Sequence, residues 1–340
     1  MAEHNKIPVT VLTGFLGSGK TTLVNHILTA NHGHRIAVIE NEFGEIPIDN
    51  DLVLNADEKI IEMSNGCCLC CTARTDLIEI LRSLLARSDR FDRILIETSG
   101  LADPNPVAQT FFVDEEIAAH FTLDAIVTLV DAKHIRGHLA ETGHDGLGSV
   151  VADQIAFADR IVINKVDLVD AAELDAVQRQ VRAINATADV IASRYAEIDL
   201  GDVLGIAAFD LSRPMAGDPH WLEDDGHQHD PTLTSVGIEL DGAVDQRALE
   251  EWLTAHLSEH GAEVYRMKGL FAVANDERRF VLQGVHEVFE IRPSTPWNQP
   301  DRTGKVVFIG RDLDRAELTR GLRSCLADRA LTPATGGSAR

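Results

Sequence analysis

Short, almost continuously apolar runs alternate with amphipathic segments along roughly the first 200 residues. The runs are rich in β-branched residues, which is typical of parallel strands that helices cover on both faces. The helical spacing is clearest near residue 180, with apolar side chains at Leu174, Val177 and Val181. The predicted strands span residues 9–13, 35–40, 59–63, 93–97, 125–131, 160–164 and 189–192, and the predicted helices include 21–30, 75–87 and 171–185. This order predicts an α/β fold with a doubly wound, mostly parallel sheet.

The pattern changes after residue 211. A stretch rich in Pro, Gly, Asp and His comes first, and a shorter mixed pattern follows it, with a strand at 235–240, a helix at 245–259, three or four strands within 262–310 and a closing helix at 314–325. We therefore predict four parts: the α/β domain at 1–211, an acidic, histidine-containing linker at 212–234, a small α+β domain at 235–327 and a disordered tail at 328–340.

The composition limits the classes of partner. Lys and Arg total 31 against 54 Asp and Glu, so the formal net charge is −23. This balance disfavours sequence-independent nucleic-acid binding and anionic membrane surfaces, which both require basic faces. No apolar run approaches the roughly 18–20 residues of a transmembrane helix, and no signal-like segment precedes the first strand, so we expect a cytoplasmic protein.

The strongest local motif follows the first predicted strand. It reads GFLGSGKTT and matches G-x-x-x-x-G-K-[ST] between a strand and a helix. Glycines let successive N–H groups point at a phosphate, and the helix N-terminus adds its partial positive charge. Lys20 is expected to bridge the β- and γ-phosphates, and the Thr21 hydroxyl to bind Mg²⁺. The predicted nucleotide-binding residues here are Gly14, Gly17, Ser18, Gly19, Lys20, Thr21 and Thr22.

A second motif, RILIETSG, places an acid at the end of a strand. Phosphate-loop enzymes use such an acid to hold Mg²⁺ or its water, and the glycine that follows senses the γ-phosphate. We predict these roles for Glu97 and Gly100, with Lys20 as the third catalytic residue and Thr21 and Glu97 as the magnesium ligands. The acid is Glu rather than the commoner Asp, which gives it a longer reach.

A third motif, NKVD, follows the predicted strand at 160–164. The carboxylate of Asp167 can accept hydrogen bonds from N1–H and the 2-amino group of guanine, and adenine lacks this donor pair. Asn164, Lys165 and Asp167 therefore predict GTP rather than ATP, with GDP as the product.

Four of the five cysteines fall within the sequence CCLCC at 67–71, which we call the thiol segment. Clustered thiols do not form a disulfide framework, and they favour soft or borderline metals such as Zn²⁺. Three thiolates and either a carboxylate or a histidine could complete a tetrahedron, with the carboxylate coming from ENEFGE, here the switch segment (residues 40–45). A redox C-x-x-C pair and solvated thiols are the alternatives. The candidate transition-metal ligands are Cys67, Cys68, Cys70, Cys71, Glu40, Glu42 and Glu45.

These motifs together resemble the CobW-like GTPases, which are P-loop proteins of the SIMIBI class. The resemblance rests on GFLGSGKTT, ENEFGE, NGC…CCT, ETSGLADP and NKVD in this order, and it extends through QGVHEVFEIRP in the C-terminal domain. It implies a metal chaperone or insertase that serves zinc, or cobalt in cobalamin synthesis. The family motif Cys-x-Cys-Cys maps onto residues 68–71, but alignment from the glycine side makes Cys67 the first ligand, so the spare thiol is not fixed.

The sequence thus predicts a GTP-hydrolysing metal chaperone with a slow intrinsic rate, because no arginine finger is identifiable. It would use GTP/GDP, Mg²⁺ and Zn²⁺, with Co²⁺ as the alternative cargo, and would serve a client metalloprotein. A metal- or nucleotide-dependent homodimer is a further expectation. Two other hypotheses stay open: a zinc buffer or sensor with regulatory nucleotide binding, and a redox-regulated GTPase.

Other metal-binding side chains carry weaker signals. His220, His227 and His229 lie in the acidic linker, where they could capture zinc or be merely solvated. His134 and His138 have helical spacing and are expected at the surface. Cys325 is expected to be a lone, buried, small apolar residue.

Overall fold

The computed structural model describes residues 6–30, 32–40, 60–62, 72–86, 91–140, 147–208, 233–297 and 302–327. The chain divides into two compact units, Met1–Ser235 with Ile309–Asp312, and Val236–Phe308 with Leu313–Arg340. The predicted domain boundaries stay predictions, since residues 209–232 and the tail at 328–340 lie outside the described residues. No helix in the described ranges has the length and apolar content needed to cross a membrane.

The first unit is built on a seven-stranded sheet in which all neighbouring strands are parallel. The strand order is β3-β2-β4-β1-β5-β6-β7. The strands are β1 Ile7–Gly14, β2 Ile36–Glu40, β3 Ile60–Glu62, β4 Arg93–Glu97, β5 Phe121–Asp131, β6 Arg160–Asn164 and β7 Asp189–Ala192. All seven predicted strands are present, and the predicted doubly wound α/β fold is confirmed.

Seven helices lie within the described residues of this unit. They are α1 Lys20–Thr29, α2 Thr72–Leu85, α3 Asn105–Val113, α4 Glu115–His120, α5 Ile135–Ala140, α6 Leu147–Phe157 and α7 Ala171–Ile184. Strand β5 and helix α1 pack into one apolar core that includes Leu23, Ile27 and Val127. Four of the helices, α3 to α6, were not predicted, because three of them are short and their sequences carry weak periodicity.

Strand β5 begins at Phe121, four residues before the prediction. The reason is Asp124, which reads as a strand-breaking polar residue but is buried in the structure. Its carboxylate accepts hydrogen bonds from the backbone N–H groups of Gly205 and Ala207 at 2.8 and 2.7 Å and from the Thr10 hydroxyl at 3.1 Å. A buried carboxylate with several donors is tolerated within a strand.

The second unit contains a five-stranded sheet in the order β11-β10-β9-β12-β8, with antiparallel pairing of β9 with β10 and of β10 with β11. Its elements are β8 Leu233–Leu240, α8 Gln246–His260, β9 Val264–Ala272, β10 Arg278–Val285, β11 Val288–Pro296, β12 Gly304–Arg311 and α9 Arg315–Ser324. Each helix begins one residue after the prediction, because Asp245 and Asp314 are N-caps that accept hydrogen bonds from the first turn. Cys325 is buried in this core, as predicted.

Helices α8 and α9 approach each other closely at a glycine. A Cβ atom on Gly321 of α9 would lie 2.2 Å from the indole ring of Trp252 on α8. Glycine inside a helix costs about 1 kcal/mol relative to alanine, and here the missing side chain makes room for the indole. The contact therefore sets the separation of the two helices.

We expect Gly321→Ala to lower the free energy of unfolding of the second unit by about 1–2 kcal/mol, because the overpacking exceeds the gain in helix propensity. Differential scanning calorimetry of the full chain measures the shift. Gly137→Ala in α5 is the matched control, since nothing lies within 4 Å of its added Cβ. Equal effects of the two substitutions would contradict the packing argument.

Candidate nucleotide site

The glycine-rich loop leaves the sheet where the strand order reverses. Strand β1 lies between β4 and β5, with β2, β3 and β4 on one side of it and β5, β6 and β7 on the other. Ligands of open α/β sheets bind at the carboxyl ends of the strands at such a position. The loop, the end of β4 and the end of β6 all lie at this edge, so the fold places the three predicted motifs on one side of the sheet.

Two glycines of the loop have no room for a side chain. Gly14 and Gly19 have φ angles of 136° and 108°, which L-residues rarely adopt. A Cβ on Gly14 would lie 2.3 Å from the Leu129 carbonyl oxygen, and one on Gly19 would lie 2.4 Å from Nδ2 of Asn164. The loop backbone is thus held tightly between strands β5 and β6.

The loop also contains a buried hydroxyl. Oγ of Ser18 is buried and lacks a hydrogen-bond partner among the residues described. A buried polar atom of this kind is costly unless a ligand or water satisfies it. Together with the glycine cradle and the start of α1, this hydroxyl fits the binding of a phosphate group.

The predicted lysine lies over the same loop. Nζ of Lys20 donates to the Gly14 carbonyl oxygen at 2.7 Å and to that of Phe15 at 3.4 Å, and the residue is buried. Its positive charge is therefore fixed beside the phosphate cradle.

The two predicted magnesium ligands meet at the start of α1. The Thr21 hydroxyl donates to Oε1 of Glu97 at 3.4 Å. Oxygen ligands of this type suit Mg²⁺, which commonly binds one or two protein oxygens together with substrate phosphates. Thr22, the next residue, is exposed on α1 and makes no comparable contact with Glu97 in the described chain.

The turn after β4 packs directly on the phosphate loop. A Cβ on Gly100 would lie 2.7 Å from the backbone nitrogen of Leu16. The buried Gln154 of α6 fixes this turn, because its Nε2 donates to the carbonyl oxygens of Gly100 at 3.1 Å and Ala102 at 3.0 Å. Sequence reasoning missed Gln154, since a glutamine on an unpredicted helix carries no recognisable signal.

The asparagine of NKVD joins two loops. Nδ2 of Asn164 donates to the Ser18 carbonyl oxygen at 3.0 Å, and its Oδ1 accepts from the backbone N–H of Ala196 at 2.9 Å. Asn164 is buried, whereas Asp167 is exposed in a 3₁₀ turn. Tyr195 is also exposed and has a φ of 52°, and the segment 193–197 lies beside Asn164, a contact that sequence reasoning missed.

A strand-ending acid positions the lysine of NKVD. Oδ2 of Asp131 accepts a hydrogen bond from Nζ of Lys165 at 2.8 Å. The backbone of Lys165 is in the left-handed region, with a φ of 62°. Burial alone would raise the pKa of Asp131, but hydrogen bonds from Lys165, His134 and the Lys133 backbone N–H outweigh it, so the pKa is lowered. Sequence reasoning missed Asp131, although its place at the end of β5 matches the signal used for Glu97.

The two predicted surface histidines have other partners. Nδ1 of His134 lies 3.0 Å from Oδ2 of Asp131, and the ring of His138 packs against Phe15 at 4.5 Å between centroids. His134 is exposed, as predicted, whereas His138 is half-buried.

The acids on the other side of the site end neighbouring strands in register. Glu40 of β2 pairs with Glu62 of β3 and with Glu97 of β4. Glu40 is buried. The remaining candidate metal ligands lie outside the described residues: Glu42, Glu45, Cys67, Cys68, Cys70 and Cys71. They stay predictions, as do the linker histidines His220, His227 and His229.

We expect Asp131→Asn to lower the free energy of unfolding by about 1–2 kcal/mol at neutral pH, through loss of charge-assisted hydrogen bonds. The folded pKa lies below the ordinary value of 3.8. The stabilisation is therefore fully present above pH 3.8 and is lost as the pH falls through the lower folded value. Urea titrations of both proteins between pH 7 and about pH 2.5 measure this difference.

The control for that experiment is Asp175→Asn. Asp175 forms an exposed ion pair with Arg179 on α7, and such pairs contribute little. A difference for Asp131→Asn that stays constant down to about pH 2.5, or that equals the control, would refute the assigned role.

The chain matches two families. Residues 8–192 match "CobW/HypB/UreG, nucleotide-binding domain", and residues 233–326 match "Cobalamin synthesis protein cobW C-terminal domain". Zinc chaperone YjiA of Escherichia coli (strain K12) is 35% identical over 321 residues, which cover 92% of this chain and 97% of that protein. Zinc chaperone CobW of Pseudomonas aeruginosa is 34% identical over 351 residues, covering 95% and 92%.

A solved structure agrees with these matches. The crystal structure of Zn(II)-bound YjiA GTPase from E. coli is 30% identical and superposes with a TM-score of 0.73, covering 95% of this chain and 100% of that one. The family resemblance inferred from the motifs is therefore confirmed. The chain belongs to the CobW/HypB/UreG nucleotide-binding family and carries the CobW C-terminal domain.

Proposed function

We propose that this protein is a GTP-hydrolysing metal chaperone that carries zinc at its thiol segment and releases it to a client metalloprotein according to the bound nucleotide. One observation carries the proposal. Strands β3, β2 and β4 end in register at Glu62, Glu40 and Glu97, so the strands that precede the thiol segment and the switch segment end at the same sheet edge as the nucleotide site.

The phosphate loop supplies the first step, which is binding of GTP. Lys20 would exchange its carbonyl partners for phosphate oxygens, and the hydroxyl of Ser18 would gain a hydrogen bond. The loop N–H groups and the start of α1 then hold the substrate in a fixed orientation.

Hydrolysis requires stabilisation of negative charge that develops on the phosphates. Thr21 and Glu97 would hold Mg²⁺, and the metal ion would neutralise part of that charge. Glu97 also lies beside the turn that Gln154 fixes, where the Gly100 backbone can follow the γ-phosphate. No arginine of the described residues is assigned to the reacting phosphate, so we expect a slow intrinsic rate.

Selectivity for guanine rests on Asp167. Its exposed carboxylate follows the Asn164 anchor, and Lys165 is held by Asp131 on the neighbouring strand. Asp167 would accept hydrogen bonds from N1–H and the 2-amino group of guanine.

The thiol segment is close enough along the chain to the strand ends at the nucleotide site for metal binding and nucleotide binding to be energetically linked. Strand β3 ends at Glu62 and α2 begins at Thr72, so both anchors of the thiol segment are described. Five residues from Glu62 to Cys67 span at most about 18 Å. Cys68, Cys70 and Cys71, with Cys67 or one of Glu40, Glu42 and Glu45, would provide a tetrahedral zinc site.

The names of the relatives help to identify the metal that the protein carries and the partner that it serves. Two of them are named zinc chaperones, which favours zinc over cobalt as the cargo, and the name chaperone implies a client protein. Reduced thiols are kept in the cytoplasm, where we place the protein. A nucleotide- or metal-dependent homodimer remains part of the proposal.

We expect Asp167→Asn to weaken GTP binding about 10- to 100-fold, since one charged acceptor pair is lost at about 1–3 kcal/mol. Xanthosine triphosphate carries a carbonyl group in place of the 2-amino group, so the variant amide should bind it better than the wild type does. Competition titrations with GTP and xanthosine triphosphate measure the change in affinity for each nucleotide. Weakening of both nucleotides alike would show that Asp167 does not contact the base.

We expect Zn²⁺ to change GTP affinity or turnover about 5-fold or more, a coupling of roughly 1–3 kcal/mol. The response should vanish in Cys68/Cys70/Cys71→Ser, because the ligands are removed. Phosphate release and nucleotide titration with and without Zn²⁺ measure it.

Two controls accompany the zinc experiment. Cys325→Ala should keep the response, because that thiol is buried in the second unit, and Lys20→Ala should abolish hydrolysis. Equal rates in wild type with and without zinc would refute the coupled chaperone and favour a zinc buffer. Loss of the metal together with disulfide formation would favour redox regulation.

A further inference from the structure

Helices α8 and α9 bring three metal-binding side chains together in the second unit. We call His256, His260 and Glu317 the helix-pair cluster. One ligand atom from each of the three lies within 4.8 Å of the others. Neither the nucleotide site nor the thiol segment uses any of them.

The geometry follows from the packing of the two helices. His256 and His260 are four residues apart on α8, so they share a face, and their rings lie 4.9 Å apart. Glu317 of α9 faces both: its Oε1 lies 3.5 Å from Nδ1 of His256 and 3.8 Å from Nε2 of His260. The Trp252–Gly321 contact, one helical turn away on each helix, holds this separation.

These distances suit a transition metal. Zinc binds histidine nitrogen and carboxylate oxygen at about 2.0–2.2 Å, so tetrahedral geometry places its donor atoms roughly 3.3–3.5 Å apart. The two contacts to Glu317 are at or only a few tenths of an ångström above that separation. Two histidines and one carboxylate, with water in the fourth position, form a known type of zinc site.

The side chains around the helix-pair cluster also favour metal binding. Nδ1 of His260 lies 3.1 Å from Oε2 of Glu263, which leaves Nε2 directed to Glu317. Metal-bound histidines commonly donate their other ring N–H to a carboxylate, which fixes the ring. The ring of His256 stacks on Trp252, with centroids 5.2 Å apart and an interplanar angle of 18°. Two of the three ligands thus have fixed orientations.

The cluster is open on one side. The side chain of His256 is 8% exposed, but those of His260 and Glu317 are 35% and 45% exposed. An ion and a water ligand can therefore reach the cluster without unfolding the domain.

We propose that His256, His260 and Glu317 form a second binding site for a divalent transition metal, with zinc as the natural ligand, in the C-terminal domain. The site needs neither the thiol segment nor the nucleotide. It gives the chain a second, weaker binding site for the metal, because nitrogen and oxygen ligands hold zinc less firmly than thiolates.

The test uses the full chain with all four clustered cysteines replaced, Cys67/Cys68/Cys70/Cys71→Ser. Co²⁺ is the probe, because its visible absorption reports coordination and thiolate ligation adds a distinct charge-transfer band. We expect one Co²⁺ per chain without that band. His260→Gln and Glu317→Gln, each in this background, should weaken binding at least tenfold, and Zn²⁺ should displace the probe.

Glu251→Gln is the matched control, since Glu251 lies on α8 and pairs with Arg247 outside the cluster. It should leave Co²⁺ binding unchanged. A second measurement guards against misfolding: Zn²⁺ should raise the unfolding temperature of the background protein and of Glu251→Gln, but not of Glu317→Gln. Without metal, the three should unfold at similar temperatures.

Three outcomes would overturn the proposal. The first is no Co²⁺ binding in the cysteine-free background. The second is binding that survives His260→Gln and Glu317→Gln, which would locate the ion elsewhere, for example at His220, His227 or His229. The third is a loss of Co²⁺ affinity in Glu251→Gln as large as that in Glu317→Gln, which would indicate a general charge effect. None of these results depends on zinc-coupled GTP hydrolysis, which is measured separately on the wild type.

Discussion

The side-chain amide of Asn164 is the interaction on which the nucleotide site depends. It donates to the phosphate loop at Ser18 and accepts from the backbone of Ala196, so one buried group at the end of β6 connects two loops. A buried amide with both ends satisfied is stabilising, whereas removal of either partner leaves a costly polar group. The absence of a side chain at Gly19 follows from the same contact, because the amide occupies the space that a Cβ would need.

The rest of the site is built outward from this connection by groups on neighbouring strands. Asp131 on β5 holds Lys165, and Glu97 on β4 meets the first turn of α1. The parallel sheet brings these strand ends to one edge, so residues far apart in sequence lie on the same side of the sheet. On the far side, Glu40 on β2 and Glu62 on β3 continue the row of strand ends. In the proposed function, a change in nucleotide would reach the metal ligands through these adjacent strand ends.

The sequence predicted those parts whose signals are local. Glycines with positive φ, a strand-ending acid and NKVD each depend on a few consecutive residues, and the strands of the parallel sheet are visible as apolar runs. Gln154, Asp131 and the segment 193–197 were missed because their roles arise from contacts with distant parts of the chain. The helix-pair cluster was missed for the same reason: His256 and His260 have readable spacing, but Glu317 joins them only through packing.

The buried carboxylate of Asp124 has a mechanical consequence. The carboxylate accepts hydrogen bonds from the backbone N–H groups of Gly205 and Ala207, and from the hydroxyl of Thr10 on the strand that leads into the phosphate loop. The backbone carbonyl oxygen of Asp124 accepts a further hydrogen bond from the N–H of Ala208. A pull on the chain beyond residue 208 would therefore act on β1 through a short, stiff path. Tension in the linker and nucleotide bound at the phosphate loop would then both act on strand β1.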